Sequence, residues 1–339
     1  MRNPAEEDAE RACAYGDCEQ AIGLFERAVG LEPYDFRLHY RLGMCYGGCC
    51  RLHALVHPDM AVAYLRPALR LVGATPGRAR AAIADQLGDT LCHGGTAPRA
   101  AALRAAVACH AEAAEIYQSL GMADDWGRTQ FNLGNSCCEL SEITGESHWQ
   151  EAVFHYEESL RVRTREKDPE RHAAVLENLG SAYHRLSDHG TGGNVRKSIE
   201  CYRRALRIYA PATQADKIAA LENNLGNAYL SLPQTDEKTK ARNARRAIRH
   251  FDRALSFRCR DRSRRAYGIT EYNRAQAHYR LAQTLPDGNP TVAVTGLEEA
   301  FAAFQSCGEQ GYTQLVRAQL ERICRQQECL REESICEKR

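Results

Sequence analysis

Two patterns of small, large and polar positions alternate along the chain. The first is a small residue, then a larger one four positions on, then a small one after three more. It reads Ala21/Phe25/Ala28, Ala61/Leu65/Ala68, Ala106/His110/Ala113 and Ala152/Tyr156/Ser159. It continues as Ser198/Tyr202/Ala205, Ala247/Phe251/Ala254 and Ala293/Leu297/Ala300. Steps of four and three place all three residues on one helical face. Small residues there let a neighbouring helix approach closely, and the larger one fills the groove beside them. The second pattern is a Leu-Gly marker lying between copies of the first. It appears as Phe131-Asn132-Leu133-Gly134-Asn135, Glu177-Asn178-Leu179-Gly180-Ser181 and Asn223-Asn224-Leu225-Gly226-Asn227, with successive glycines 46 residues apart. Weaker copies stand at Leu42-Gly43 and Leu87-Gly88, and one follows at Asn273-Arg274-Ala275. The alternation predicts seven helix pairs and then a terminal helix over about residues 312–328, which covers the last pair as repeat arrays require. Pro169, Pro211 and Pro290 suit first helical turns, and Gly73, Gly121, Gly190 and Gly288 suit the connections.

The two markers resemble the A-helix and B-helix signatures of tetratricopeptide repeats (TPR), over nearly the whole length. The resemblance implies an all-α, right-handed α-solenoid of about seven helix pairs with a C-terminal capping helix. It implies one array over residues 1–339: an ordinary first unit at 1–33, long units at 34–310, and a capping helix and tail at 311–339. The usual unit has about 34 residues, and Gly16-Asp17 through Ala21, Phe25, Ala28 and Pro33 fits that form. Ala21 to Gly43 spans 22 residues, whereas later units take 27 or 28 over the same interval. Gly134 to Ala152 spans 18, where an ordinary repeat has about 12. Each inner unit therefore carries extra residues in two places, as an added helical turn or a longer loop. The long unit, with Arg163-Thr164-Arg165-Glu166 and then Asp168-Pro169 before the next Asn-Leu-Gly, is similar to repeats accompanying caspase-like CHAT peptidases in bacteria. That likeness covers about residues 121–285. The sequence ends soon after the last repeat, so a connection to such a peptidase is expected only in trans.

Composition narrows the class. The 339 residues are 44% hydrophobic and 26% charged, an ordinary folded composition and not a disordered one. The first ten residues are acidic without an apolar core, and no run approaches the roughly 20 apolar residues of a membrane span. The expected location is cytoplasmic, with no membrane partner. There are 15 cysteines and no Cys-x-x-Cys. Cys109, Cys137, Cys201 and Cys307 fall among alanines and aromatics, where a reduced thiol serves as a small buried hydrophobe. The net charge of +1 is unevenly spread. Residues 161–280 hold 26 Lys+Arg against 13 Asp+Glu, so the remainder is acidic.

In a TPR array the A helices line the concave groove, so polar residues near Leu-Gly are the binding candidates. They are Asn132, Asn135, Asn178, Asn223, Asn224, Asn227, Asn273 and Gln276. A carboxamide offers both donor and acceptor, so a column of them can pair with an extended peptide backbone. The plainer reading is that asparagine caps or solvates the groove. Glu177, His184, Arg185, Tyr272, Tyr279 and Arg280 share that surface. TPR proteins that bind chaperone tails carry lysines just before the first Asn; here those positions hold Phe131, Glu177, Asn223 and Tyr272, so that clamp is missing.

A second candidate surface is the run Arg242, Arg245, Arg246, Arg249 and Arg253, followed by arginines as far as Arg265. The planar guanidinium suits phosphate or carboxylate. Apart from Phe251, which the small–large–small pattern assigns to the core face, and Phe257, no aromatic residue interleaves the arginines as a stacking platform would, which disfavours nucleic acid and favours an acidic protein partner or a solvated face. Cys45, Cys49, His53 and His57 advance by four and are a weak metal candidate. A single straight helix would spread them over about 18 Å, so a turn is needed to join them. No Gly-x-Ser-x-Gly elbow, phosphate loop, His-Glu-x-x-His or Rossmann glycine run occurs. The expectation is a protein- or peptide-binding scaffold, not an enzyme, with no cofactor. A polyanion binder and a Cys/His metal or redox sensor are the alternatives.

Overall fold

The computed structural model describes residues 4–47, 57–95, 98–186, 190–258, 263–285 and 289–336. Among the described residues there are fifteen α-helices and no strand. The chain divides into two compact units, Met1–Asp168 and Pro169–Arg339. The first contains α1 (Pro4–Tyr15), α2 (Cys18–Leu31), α3 (Phe36–Tyr46), α4 (Pro58–Leu71), α5 (Arg78–Cys92), α6 (Arg99–Ser119), α7 (Ala123–Thr144) and α8 (Trp149–Val162). The second contains α9 (Pro169–Arg185), α10 (Gly193–Leu206), α11 (Ala215–Ser231), α12 (Glu237–Phe257), α13 (Arg264–Ala282), α14 (Thr291–Ser306) and α15 (Gln310–Cys336). Within each unit a helix packs chiefly on its neighbours in sequence, the mark of a helical solenoid. Odd-numbered helices from α3 to α13 carry the Leu-Gly marker or its Asn-Arg-Ala variant, and α1 takes the same place before α2; these are the A helices. Even-numbered helices carry the small–large–small marker and are the B helices. The seven expected pairs are present, and α15 follows them.

The two sequence markers are the two sides of one contact. A Cβ on Gly43 would stand 2.7 Å from Leu65, on Gly88 2.6 Å from His110, on Gly134 2.5 Å from Tyr156 and on Gly180 2.7 Å from Tyr202. Gly226 faces Phe251 in the same way. Each glycine is missing a side chain because the large residue of its B helix occupies that volume. The alanines flanking those large residues are buried, which lets the backbones close up. In the last pair the small residues lie on both sides, Gly296 placing a Cβ 3.1 Å from that of Ala275.

The extra length of the inner units is partly helical. The marker glycine is the eighth residue of α3, the eleventh of α5 and the twelfth of α7, α9 and α11. One added turn therefore precedes it in the long units, and connections such as 163–168 and 207–214 take up the rest. Helix starts follow local chemistry. Asp17, Asp35 and Asp236 cap α2, α3 and α12, accepting from the amides of Gln20, Arg37 and Thr239 at 3.0, 2.8 and 2.7 Å. Pro58 and Pro169 open α4 and α9, and Pro290 caps α14. Pro211 departs from expectation. It lies in a turn, and α11 starts at Ala215, because the Gln214 side chain accepts from the Ala210 amide (2.9 Å) and closes the preceding loop. Gly73, Gly121 and Gly190 hold left-handed backbone in the connections; Gly288 lies outside the described residues.

Helix α15 closes the second unit. Its Val316 and Ile323 are buried against Ala293, Leu297, Ala300 and Phe304, and Tyr312 stacks on Phe304 at 4.7 Å. Cys18, Cys45, Cys137 and Cys201 are buried and Cys109 is half-buried, none of them in a disulfide. Cys307 is exposed, because it terminates α14 where the chain turns through Gly308. Among the described residues no helix is long and apolar enough to cross a membrane.

Candidate functional site

The groove amides divide by how far the fold consumes them. In the first unit Asn132 donates to Asp89 (2.8 Å) and Asn135 accepts from the Tyr156 hydroxyl (2.8 Å). Both bonds serve packing between helices. In the second unit Asn223 is only 7% exposed and accepts from Asn273 at 3.1 Å, joining α11 to α13. Asn178 is half-buried on α9 and engaged with neighbouring groups. Asn224, Asn227 and Gln276 are half-buried on A helices, and among the described residues their side chains make no hydrogen bond. Around them His184 meets the Ser231 hydroxyl at 2.9 Å and Arg280 donates to the Leu230 carbonyl at 2.8 Å. Burial pushes the His184 imidazole below its ordinary range, and Arg185 adds to the shift. Burial likewise raises the Glu177 carboxyl, which Lys217 partly offsets.

The arginines of α12 are all exposed, opposite a buried face of Ala241, Ala244, Ala247, Phe251 and Ala254. They are not uniformly free. Arg246 lies over the Tyr229 ring at 5.7 Å, and Arg203 donates to the Tyr229 hydroxyl at 2.5 Å. Arg242 reaches the Thr239 hydroxyl, and Arg253 approaches Glu222, whose carboxylate also accepts from His250. Arg245 and Arg249 make no ion pair among the described residues. Further on, Arg258 donates to the Ala266 carbonyl and the Thr270 hydroxyl, and Arg265 pairs with Glu309. Tyr229 is thus an aromatic among the arginines in space though not in sequence, but it is buried and offers no stacking face.

Of the Cys/His set, Cys49 and His53 lie outside the described residues. Cys45 is buried with its sulfur 3.5 Å from that of Cys13, and His57 stands at the start of α4 beside Tyr46.

A polar cluster that sequence reasoning missed sits between α5, α6 and α7. His110 Nδ1 is 3.0 Å from Asp85 Oδ1, Arg128 takes the other oxygen of Asp85, and Asp89 Oδ1 is 3.7 Å from His110 Nε2. Burial alone would lower the His110 imidazole, but the Asp85 hydrogen bond and the neighbouring Cys92 and Asp89 raise it to about 9. Asp89 is raised to about 6 by burial and by Asp85. Burial also works against ionised Asp85, yet the His110 bond and the Arg128 charge hold it below its ordinary value. The sequence did contain a signal: His110 stands where the other B helices carry Phe, Leu or Tyr.

The paired helices, the glycine-to-ring contact and the capping helix define a helical repeat protein with the TPR fold. No family model matches the sequence, and no curated protein matches it significantly. Solved structures do. The apo form of the quorum sensor NprR from B. thuringiensis superposes with a TM-score of 0.57 at 13% identity, covering 92% of this chain and 79% of that one. The C-terminal part of a TPR repeat-containing protein from Cytophaga hutchinsonii gives 0.56 at 13% identity, covering 88% and 94%. Cut9, from the APC/C hetero-tetramer Cut9–Hcn1, gives 0.50 at 13% identity, covering 91% and 48%. At these identities the likeness is one of fold. The similarity to CHAT-associated repeats rests on sequence phrases alone.

Proposed function

We propose that this chain is a non-catalytic scaffold that binds an extended peptide or protein segment along its A-helix faces. The observation that carries the reading is the set of half-buried amides Asn224, Asn227 and Gln276. They stand half-buried on A helices, and among the described residues their side chains make no hydrogen bond, which leaves their donors and acceptors for a peptide backbone. Two of the structural neighbours are compatible with it, one being a quorum sensor and the other part of a hetero-tetramer with a second protein. A cytoplasmic location without membrane attachment belongs to the same reading. The test is affinity capture with the full chain against its Asn224→Ala/Asn227→Ala variant. The expected result is a partner lost from the variant while helicity is unchanged; a partner retained equally refutes the groove.

A second reading has its own observation, the exposed Arg245 and Arg249 on α12, which make no ion pair among the described residues. It makes that face a site for an acidic protein segment or a polyanion. It predicts affinity falling steeply with salt, and insensitivity to an Arg245→Gln/Arg249→Gln variant counts against it.

A further inference from the structure

Two thiols from successive A helices lie side by side in the first unit. The Cys13 sulfur of α1 is 3.5 Å from the Cys45 sulfur of α3, so the two atoms are in contact. Other described thiols face hydroxyls instead: Cys92 is 3.1 Å from the Ser136 hydroxyl and Cys138 is 3.5 Å from that of Tyr156. A hydroxyl cannot close a sulfur–sulfur bond, whereas a second thiol can. Cys45 is buried and Cys13 is half-buried, so a small reagent reaches one sulfur of the pair and not the other. Both residues stand in the last turn of their helices, just before Gly16 and Gly47, where the backbone yields most readily. A disulfide bond measures about 2.05 Å. The sulfurs therefore have to close by about 1.5 Å, within reach of rotation about the two χ1 bonds.

We propose that Cys13 and Cys45 are a modification site, a dithiol that exchanges with a low-molecular-weight disulfide and closes into a bond stapling α1 to α3. The Cys13 thiolate attacks one sulfur of the reagent, forming a mixed disulfide and expelling one thiolate. The Cys45 thiolate then attacks Cys13 Sγ, forming the Cys13–Cys45 bond and expelling the second thiolate. The protons lost by the two cysteines pass through solvent to the two released thiolates. The protein gives up two electrons, and the small disulfide is reduced to two thiols. The consequence falls on α1. The residues it buries are Glu6, Ala9 and Ala12, so little apolar area holds it in place. Its ion pair to α3, Glu10 with Arg41 at 3.5 Å, is partly solvent-exposed and therefore weak. In the thiol form α1 opens by itself. The new bond closes the chain around α2 and couples the opening of α1 to that of α3.

The test incubates the full chain, reduced and desalted, with glutathione disulfide. Remaining thiols are blocked with N-ethylmaleimide under denaturing conditions, and the chain is digested with trypsin without reductant. The expected product joins the peptides Ala12–Arg27 and Leu42–Arg51 at their summed mass less two hydrogens. Fragmentation after Gly16 separates Cys13 from Cys18, and fragmentation after Tyr46 separates Cys45 from Cys49 and Cys50, so the bond is assigned to one pair of sulfurs. Cys45→Ser is expected to stop at a mixed disulfide of Cys13 with glutathione, and Cys13→Ser to leave Cys45 labelled by maleimide. In the oxidised parent, amide exchange of α1 is expected to slow by at least about tenfold, and dithiothreitol to restore the original rate. A bond mapped to any other pair overturns the inference. So does a parent chain in which Cys13 carries glutathione alone or both thiols remain labelled, and so does exchange in α1 that oxidation leaves unchanged.

Discussion

Gly134, Gly180 and Gly226 each face a ring at a distance that no Cβ can occupy, while Gly23, in the middle of α2, has nothing within 4 Å of that position. The same substitution should therefore have opposite signs at the two kinds of site. Gly180→Ala overpacks against Tyr202 and is expected to cost about 1–3 kcal/mol. Gly23→Ala adds a better helix former in open space and is expected to stabilise by about 0.5–1 kcal/mol. Urea midpoints of the two variants check this, and a gain for Gly180→Ala would show that the ring yields. These glycines were legible in the sequence because the Leu-Gly marker recurs at fixed spacing. Why glycine is needed there was not, since the ring that excludes a side chain comes from the following helix.

Among the helices, the ends and the cap carry most of the testable consequences. Asp236 caps α12 with one bond to the Thr239 amide. Asp236→Ala is expected to cost about 0.5–2 kcal/mol, seen as a lower thermal midpoint. Helix α15 is anchored by two buried side chains, Val316 and Ile323, where the B-helix face of the last pair would otherwise meet water. Ile323→Ala is expected to cost about 2–5 kcal/mol and to increase amide exchange in α13 and α14 first. A loss confined to α15 itself would mean that the cap is not integral to the second unit. The terminal helix was predicted within two residues of its start because helix amphipathicity is local. Pro211 misled for the same reason: a proline permits a helix start, but a side chain three residues on decided where α11 begins.

For the molecule as a whole, three histidines give stability a pH dependence of known sign. Burial lowers His155, His184 and His278 below the ordinary imidazole value. The unfolded chain, with its histidines near 6.5, then binds more protons than the folded one as pH falls. Their contribution is therefore full above about pH 6.5 and is lost progressively below it. The difference in thermal midpoint between pH 7.5 and pH 5.5 should shrink in His184→Gln. An equal difference in variant and parent would show that this imidazole titrates normally in the fold. Circular dichroism of the full chain should be helical throughout, without a strand component.

What the sequence alone determined is the set of paired helices, their order, and the face each one buries. Those follow from a period of 3.6 residues and from small residues at fixed steps, and both are local properties of the backbone. It also marked Asn132, Asn135, Asn178, Asn223, Asn224, Asn227, Asn273 and Gln276 as a column of amides. Only the tertiary structure decided that Asn132, Asn135, Asn223 and Asn273 are spent on neighbouring helices while Asn224, Asn227 and Gln276 are not. It alone brought Asp85, Asp89, His110 and Arg128 together from three helices. Which polar groups meet depends on how successive helices are set against one another in height and rotation. That setting is fixed by interlocking side chains far apart in the chain, such as Gly88 under the His110 ring, and no periodicity within one helix encodes it.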